Sequence, residues 1–198
     1  MAEKFRELAF TDSVRKAQAH YYGKSQFVPG APDRDALTDD EISFIQSRDS
    51  FYLASISETC WPYVQHRGGK PGFLRVLSPT QLAFADFKGN RQMLTTGNLA
   101  VNDRVTLFLM DYPHRERLKI LGHARIEDAR GHPELVAPFA DPEERPLVER
   151  VFFIEVVAYD WNCSQHITPR YTAAEVEVAV APLRQHIAEL EAKLKNGG

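Results

Sequence analysis

Two cysteines in 198 residues, Cys60 and Cys163, are too few for a disulfide framework. They stand at neither zinc nor C-x-x-C spacing, which fits a reducing cytosol and leaves room for one bridge at most. A basic excess is also missing. Lys plus Arg total 24 against 27 for Asp plus Glu, a net charge of −3, so no broad nucleic-acid surface is expected. The longest apolar stretches, such as Val105 to Met110, fall far below the ~20 residues of a membrane-spanning helix. The N-terminal M-A-E-K-F-R-E-L-A-F carries acidic side chains and no apolar run, and is read as neither signal peptide nor anchor. The expectation is a soluble, cytoplasmic protein without membrane or nucleic-acid partners. No two histidines share metal-ligand spacing on one element, so no metal is expected either.

What is present is a change of texture along the chain. Residues 1 to 37 read as a helical and then irregular extension, with Thr11 capping a short helix toward Tyr22 and P-G-A-P (29 to 32) breaking regular structure. Thr38-Asp-Asp-Glu41 is a capping-box pattern, followed by Ile42 and Ile45 at helical spacing. From there the pattern becomes short strands rich in β-branched and aromatic residues: Phe51 to Ser57, Tyr63 to Arg67, Phe73 to Val76, Gln81 to Ala85, Val105 to Met110, Leu118 to Glu127 and Val151 to Tyr159. Six or seven such strands favour a closed antiparallel barrel over a parallel sheet. The proline-rich, charged stretch from Gly131 to Glu149 is expected to be a helical excursion outside the barrel. Thr172-Ala-Ala-Glu175 is a second capping box opening a C-terminal helix over 172 to 198, in which Leu183, Ile187, Leu190 and Leu194 form a narrow apolar stripe. Packing of that helix on its own barrel and sharing it with a partner subunit both satisfy the stripe.

The segment D-F-K-G-N-R-Q-M-L-T-T-G-N, 86 to 98, reads as a strand end, a glycine loop with Lys88, Asn90 and Arg91, and a helix from Arg91 to Leu99. Exposed amide N–H groups, the positive end of a helix dipole and cationic side chains together make an anion site, suited to a phosphorylated cofactor. Alone, K-G-N-R is also compatible with an ordinary solvated turn.

Four motifs carry a resemblance: W-P-Y-V-Q-H-R-G-G (61 to 69), L-A-F-A-D-F-K-G-N-R (82 to 91), L-K-I-L-G-H-A-R (118 to 125) and W-N-C-S-Q-H-I-T-P-R (161 to 170). In order and spacing the chain resembles the pyridoxamine 5′-phosphate oxidase-related FMN-binding split-barrel family, over about residues 38 to 175. The resemblance implies a mainly β fold, a six- to seven-stranded antiparallel split barrel with a C-terminal helix, in a domain spanning 38 to 171. It also implies a homodimer with FMN at the subunit interface. By position, Gln65, His66 and Arg67 would lie along the flavin. Phe84, Ala85, Lys88, Asn90 and Arg91 would hold the ribityl chain and phosphate, Lys88 supplying the charge that Asn90 lacks. Arg117 would approach the flavin from a central strand, and Trp161, Gln165, His166 and Arg170 belong to the segment that closes over the ring. His166 and Thr168 stand where the true oxidase grips its substrate with an Arg and a His, which weakens the case for a vitamin B6 substrate.

Each of these residues has a plainer reading. Of His66 and Arg67, strand alternation lets one reach a flavin directly. Trp161 fits a core or interface anchor, His166 a hydrogen-bond donor as well as an acid or base, and Cys163 a small buried residue as well as a redox thiol. The leading expectation is an FMN-dependent oxidoreductase with a small-molecule electron donor or acceptor. No G-x-G-x-x-G stands between a strand and a helix, so NAD(P)H would be a transient substrate at the flavin face. A non-catalytic FMN-binding or redox-sensing protein is the alternative, and a haem-binding split barrel a third.

Overall fold

The computed structural model describes residues 2–26, 30–161 and 165–196; Cys163 lies outside them. Seven strands form one sheet: β1 (Ser50–Ile56), β2 (Pro62–Gly68), β3 (Arg75–Ser78), β4 (Gln81–Phe87), β5 (Arg104–Asp111), β6 (Glu116–Asp128) and β7 (Val148–Trp161). Their order is β2-β1-β5-β6-β7-β4-β3, and every neighbouring pair is antiparallel. All seven fall on the expected runs, with β3 starting two residues late and β7 extended at both ends. The closed barrel is not what forms. No ladder joins β2 to β3, so the sheet is an antiparallel split barrel with two edges.

Alternation fixes the inside. On β5 Val105, Leu107 and Leu109 are buried while Thr106, Phe108 and Met110 are half-exposed; on β1 Phe51 and Leu53 are buried while Tyr52 and Ile56 face out. The inward residues join Leu82, Leu118, Ile120, Phe152 and Ile154 in one core. Its aromatics stack in series, Phe73 on Phe51 at 5.5 Å and Phe84 on Phe152 at 4.8 Å, with Phe51 edge-on to Phe84 at 5.4 Å. Each such buried ring is worth about 1.5–3 kcal/mol over leaving it in water. Strand β4 is covered on both faces, because Ala83 and Ala85 look into a second cluster with Val136, Val151 and Phe153.

Helices sit around this sheet: α1 (Glu3–Ala9), α2 (Asp12–Tyr22), α3 (Asp39–Gln46), α4 (Leu94–Val101), α5 (Pro133–Val136) and α6 (Ala173–Asn196). Thr11 caps α2 and Thr38 with Glu41 closes the α3 capping box, as their spacing indicates. Helix α1 lies in the stretch read as helical, but no capping signal marks its start, since Ala2 precedes it without a side-chain cap. Its cap comes from afar: the Asp35 carboxylate accepts the backbone N–H groups of Lys4 at 3.0 Å and Phe5 at 2.9 Å, while the Asp35 N–H donates to Val157 of β7. The Gly131 to Glu149 excursion holds only the four-residue α5 and a 3-10 turn at Arg145–Leu147, because prolines interrupt it. Lys70, in the β2–β3 connection, reaches that excursion at Asp141 (2.6 Å) and Glu144 (3.0 Å), and these partners push its ammonium up to about 12. Helix α6 buries none of its residues.

Candidate functional site

Arg67, on the edge strand β2, turns into the gap that the missing ladder leaves, and there it meets Asp86 at the end of β4. Its Nη1 donates to Asp86 Oδ1 at 2.5 Å. Asp86 pairs across the β4–β7 ladder with Arg150, whose Nε and Nη2 lie 2.8 and 2.7 Å from Oδ2. One buried carboxylate thus carries two guanidinium groups. The Arg67 guanidinium also lies over Phe84 and Phe152, 5.6 and 5.2 Å from the ring centres, and its buried Nε has no hydrogen-bond partner. The split in the barrel is bridged here by side chains.

A cavity of about 230 Å³ opens beside this group. Tyr63, Gln65 and Arg67 line it from one face of β2, and Glu149 and Arg150 from the start of β7. Gly89, Asn90, Arg91, Gln92 and Met93 form its loop wall, and Thr95 and Thr96 bring the first turn of α4. Thr95 donates from its hydroxyl to Gln65 Oε1 at 2.8 Å, and Asn98 to Ser55 Oγ at 2.9 Å, which fixes α4 against β2 and β1. The helix begins three residues later than expected, at Leu94 rather than Arg91. Arg91 (φ 60°) and Met93 (φ 58°) adopt left-handed conformations, and Asn90 turns its side-chain oxygen back to the Gln92 N–H at 3.2 Å. No side chain caps α4, so its first-turn N–H groups are left without a side-chain acceptor. Three guanidinium groups against two carboxylates, beside an uncapped helix N-terminus, favour an anionic guest.

The expected site residues separate into groups. Gln65, Arg67, Asn90 and Arg91 line the one cavity. Phe84 is 1% exposed inside the main core and Ala85 faces the second cluster, so both back the site without reaching it. Lys88 is exposed and lies outside the cavity wall, its N–H bound to the Leu147 carbonyl. Arg67 and Arg150 stand where Lys88 was expected to supply charge. His66 points to the opposite face, edge-on to Tyr52 at 5.6 Å, as alternation requires for the neighbour of Arg67.

Arg117, Trp161, Gln165, His166 and Arg170 do not line this cavity. Trp161 is an anchor: its indole N–H donates to Glu41 Oε1 at 2.5 Å and its ring meets Phe44 edge-on at 4.8 Å. Burial would raise the Glu41 carboxyl, but hydrogen bonds from Thr38 and Trp161 hold it below its ordinary value. Gln165 and His166 form an exposed turn, and Arg117 carries a buried Nε without a partner. Arg170 lies over the Tyr112 ring at 4.9 Å, in a second cavity of about 330 Å³ that also takes in Arg48, Asp111 and His114. Burial would raise Asp111 too, yet the His114 N–H and Arg48 at 2.7 Å hold it low.

Asp86, Arg150, Tyr63 and Thr95 are among the cavity residues that sequence reasoning missed. Tyr63 follows from Arg67 by strand period, and Asp86 stood in the quoted motif. Arg150 needed the β4–β7 register. Among the described residues no group of three or more His, Cys, Asp or Glu side chains is placed to hold a metal, and no helix is long and apolar enough to cross a membrane.

No family model matches the chain, and no curated protein matches it in sequence. Solved structures do match in fold. A protein of Lactobacillus delbrueckii described as a presumed pyridoxamine 5′-phosphate oxidase is 20% identical, with 63% of this chain and 93% of that one covered, at a TM-score of 0.50. HupZ of group A Streptococcus is 10% identical over 68% and 100% of the two chains, at a TM-score of 0.48. A Clostridium acetobutylicum protein related to general stress protein 26 of B. subtilis is 12% identical over 69% and 94%, at 0.47. The fold of this chain is the split barrel of proteins described as pyridoxamine 5′-phosphate oxidases, the fold that its four sequence motifs resemble.

Proposed function

We propose that this chain is an FMN-binding flavoprotein oxidoreductase in which two copies of the chain share each cofactor site. The observation that carries this is the cavity at the barrel split, where Arg67, Arg91 and Arg150 converge on the uncapped end of α4. That donor set fits a phosphate monoester. The orphaned Arg67 Nε, buried at the cavity wall, adds a donor with nothing of the chain's own to bind. At about 230 Å³ the cavity is smaller than the ~300–1,000 Å³ of a cofactor-sized cleft, which supports a site completed by a second copy. Arg117 and Arg170, apart from the phosphate end, would be the contribution of that copy.

When bound, FMN supplies hydride transfer to or from a small molecule, for which a reduced nicotinamide nucleotide is the candidate donor. The chain's own work is binding and orientation. Arg91, unpaired among the described residues, would take the phosphate, while Asp86 holds Arg67 and Arg150 in place beside it. Gln65, fixed by Thr95, would present its amide to the polar tail.

Fluorescence titration with FMN and with riboflavin tests the reading. Loss of a charge-assisted bond worth about 1.5–3 kcal/mol in Arg91→Ala should weaken FMN at least tenfold and leave riboflavin unchanged. Absence of FMN binding by the unaltered chain, or equal loss for both ligands, would overturn it. Anaerobic reduction by NADH or NADPH separates enzyme from carrier, since a carrier reacts no faster than free FMN.

A further inference from the structure

We infer that α6 is one strand of a parallel, in-register, two-stranded coiled coil whose other strand is the same helix of a second copy of this chain. The helix runs 24 residues and buries none of them, so it does not pack on its own barrel. Its apolar residues nevertheless form a single line. Val176, Val180, Leu183, Ile187, Leu190 and Leu194 follow one another at intervals of four, three, four, three and four. Steps of four and three alternate, so each pair of steps spans seven residues; that heptad repeat in a narrow line belongs to a helix wrapped around another helix, whereas a helix lying on a sheet shows a broader stripe. Exposure along the line is 47% at Val176, 64% at Leu183, 54% at Ile187, 45% at Leu190 and 78% at Leu194. Side chains of this kind are covered in the functional molecule.

The residue types name the cover. In heptad notation Val180, Ile187 and Leu194 take position a, and Val176, Leu183 and Leu190 take position d. β-Branched side chains at the first two a positions with leucine at the last two d positions select two parallel strands over three or four. The flanks agree with a self-pairing seam. In a parallel pair the g residue His186 of one copy faces the e residue Glu191 of the other, and the same contact repeats across the two-fold axis. Arg184 at e already pairs with Glu177 one heptad earlier on its own strand, so no like charges are left opposed there. Pro182, inside the helix, falls at position c on the outer side, where its ring meets no partner. Val178, 76% exposed at the outermost position, is not covered by this arrangement.

Cysteine cross-linking of the full chain tests this. In a Cys60→Ser, Cys163→Ser background, single Leu183→Cys, Leu190→Cys, Leu194→Cys and Glu189→Cys variants are oxidised with diamide at micromolar protein and resolved on denaturing gels. In-register strands bring each seam cysteine against its own copy. Leu183→Cys, Leu190→Cys and Leu194→Cys should therefore all give covalent dimer, at least tenfold faster than the outward Glu189→Cys. Adding Ile187→Asp to Leu183→Cys should slow cross-linking at least tenfold, with unchanged circular dichroism of the barrel showing that folding is kept. Cross-linking at one seam position alone would mean antiparallel strands, and equal rates at Glu189 or none anywhere would mean a different occupant; each overturns the inference. FMN titration of the same variants is a separate readout, so loss of the helix pairing and loss of the cofactor site cannot be confused.

Discussion

Asp86 is the residue on which the candidate site turns. It lies between Arg67 and Arg150 with 9% of its side chain exposed, so its removal leaves two desolvated guanidinium groups facing each other. Breaking a buried ion pair by deleting one partner costs about 3–5 kcal/mol, and Asp86→Ala should lose about 3 kcal/mol of urea-unfolding stability. A loss below 1 kcal/mol would mean that the two arginines find water instead. Glu41 makes a different kind of statement. Its folded-state carboxyl sits below the ordinary 4.5, so the stability it contributes is present above that value and drains away as pH falls through the folded value. Glu41→Gln should flatten the acid limb of a stability profile below pH 4.5, read by Trp161 fluorescence because the indole is the carboxylate's partner. An unchanged acid limb would place the titration elsewhere.

At the level of elements, the strands were legible because they are short runs rich in β-branched and aromatic residues with Gly, Pro or Asp clusters between most of them. The run from Val105 to Met110, between Asn102-Asp103 and Asp111-Tyr112-Pro113, announces β5 without help from the rest of the chain. The capped helices α2 and α3 were legible for a similar reason, since Thr11, Thr38 and Glu41 act within their own first turn. What escaped was whatever depends on residues far apart. Helix α1 takes its cap from Asp35, some thirty positions away, and α4 starts late because the backbone turns left-handed at Arg91 and Met93, for which side-chain identity offers no signal. The site shows the same division. Arg91 and Gln65 were visible in motifs, but Arg150 becomes a neighbour of Asp86 only through strand pairing. Pairing also explains Gly122, where the β6–β7 register shifts and an added Cβ would stand 2.5 Å from the Glu155 carbonyl oxygen. Gly122→Ala should cost about 1–3 kcal/mol in thermal or urea unfolding.

For the molecule as a whole, the proposed site and the proposed helix pair both call for two copies. Light scattering should give twice the 22.5 kDa of one chain, and Asp substitutions along α6 alone should not reduce that mass if the barrels also associate. A strictly monomeric mass would remove both proposals together. The Asp35 carboxylate has a further effect at this scale. It grips the first turn of α1 while its own N–H is tied to β7, so the chain leaves the body after α1 and returns to it at the same point. Between those anchors lies α2, which buries nothing. A protease that clips this loop at Arg15, Lys16 or Lys24 would therefore sever the polypeptide without releasing its leading piece, and the nicked molecule would travel as one species in a native gel and as two in detergent.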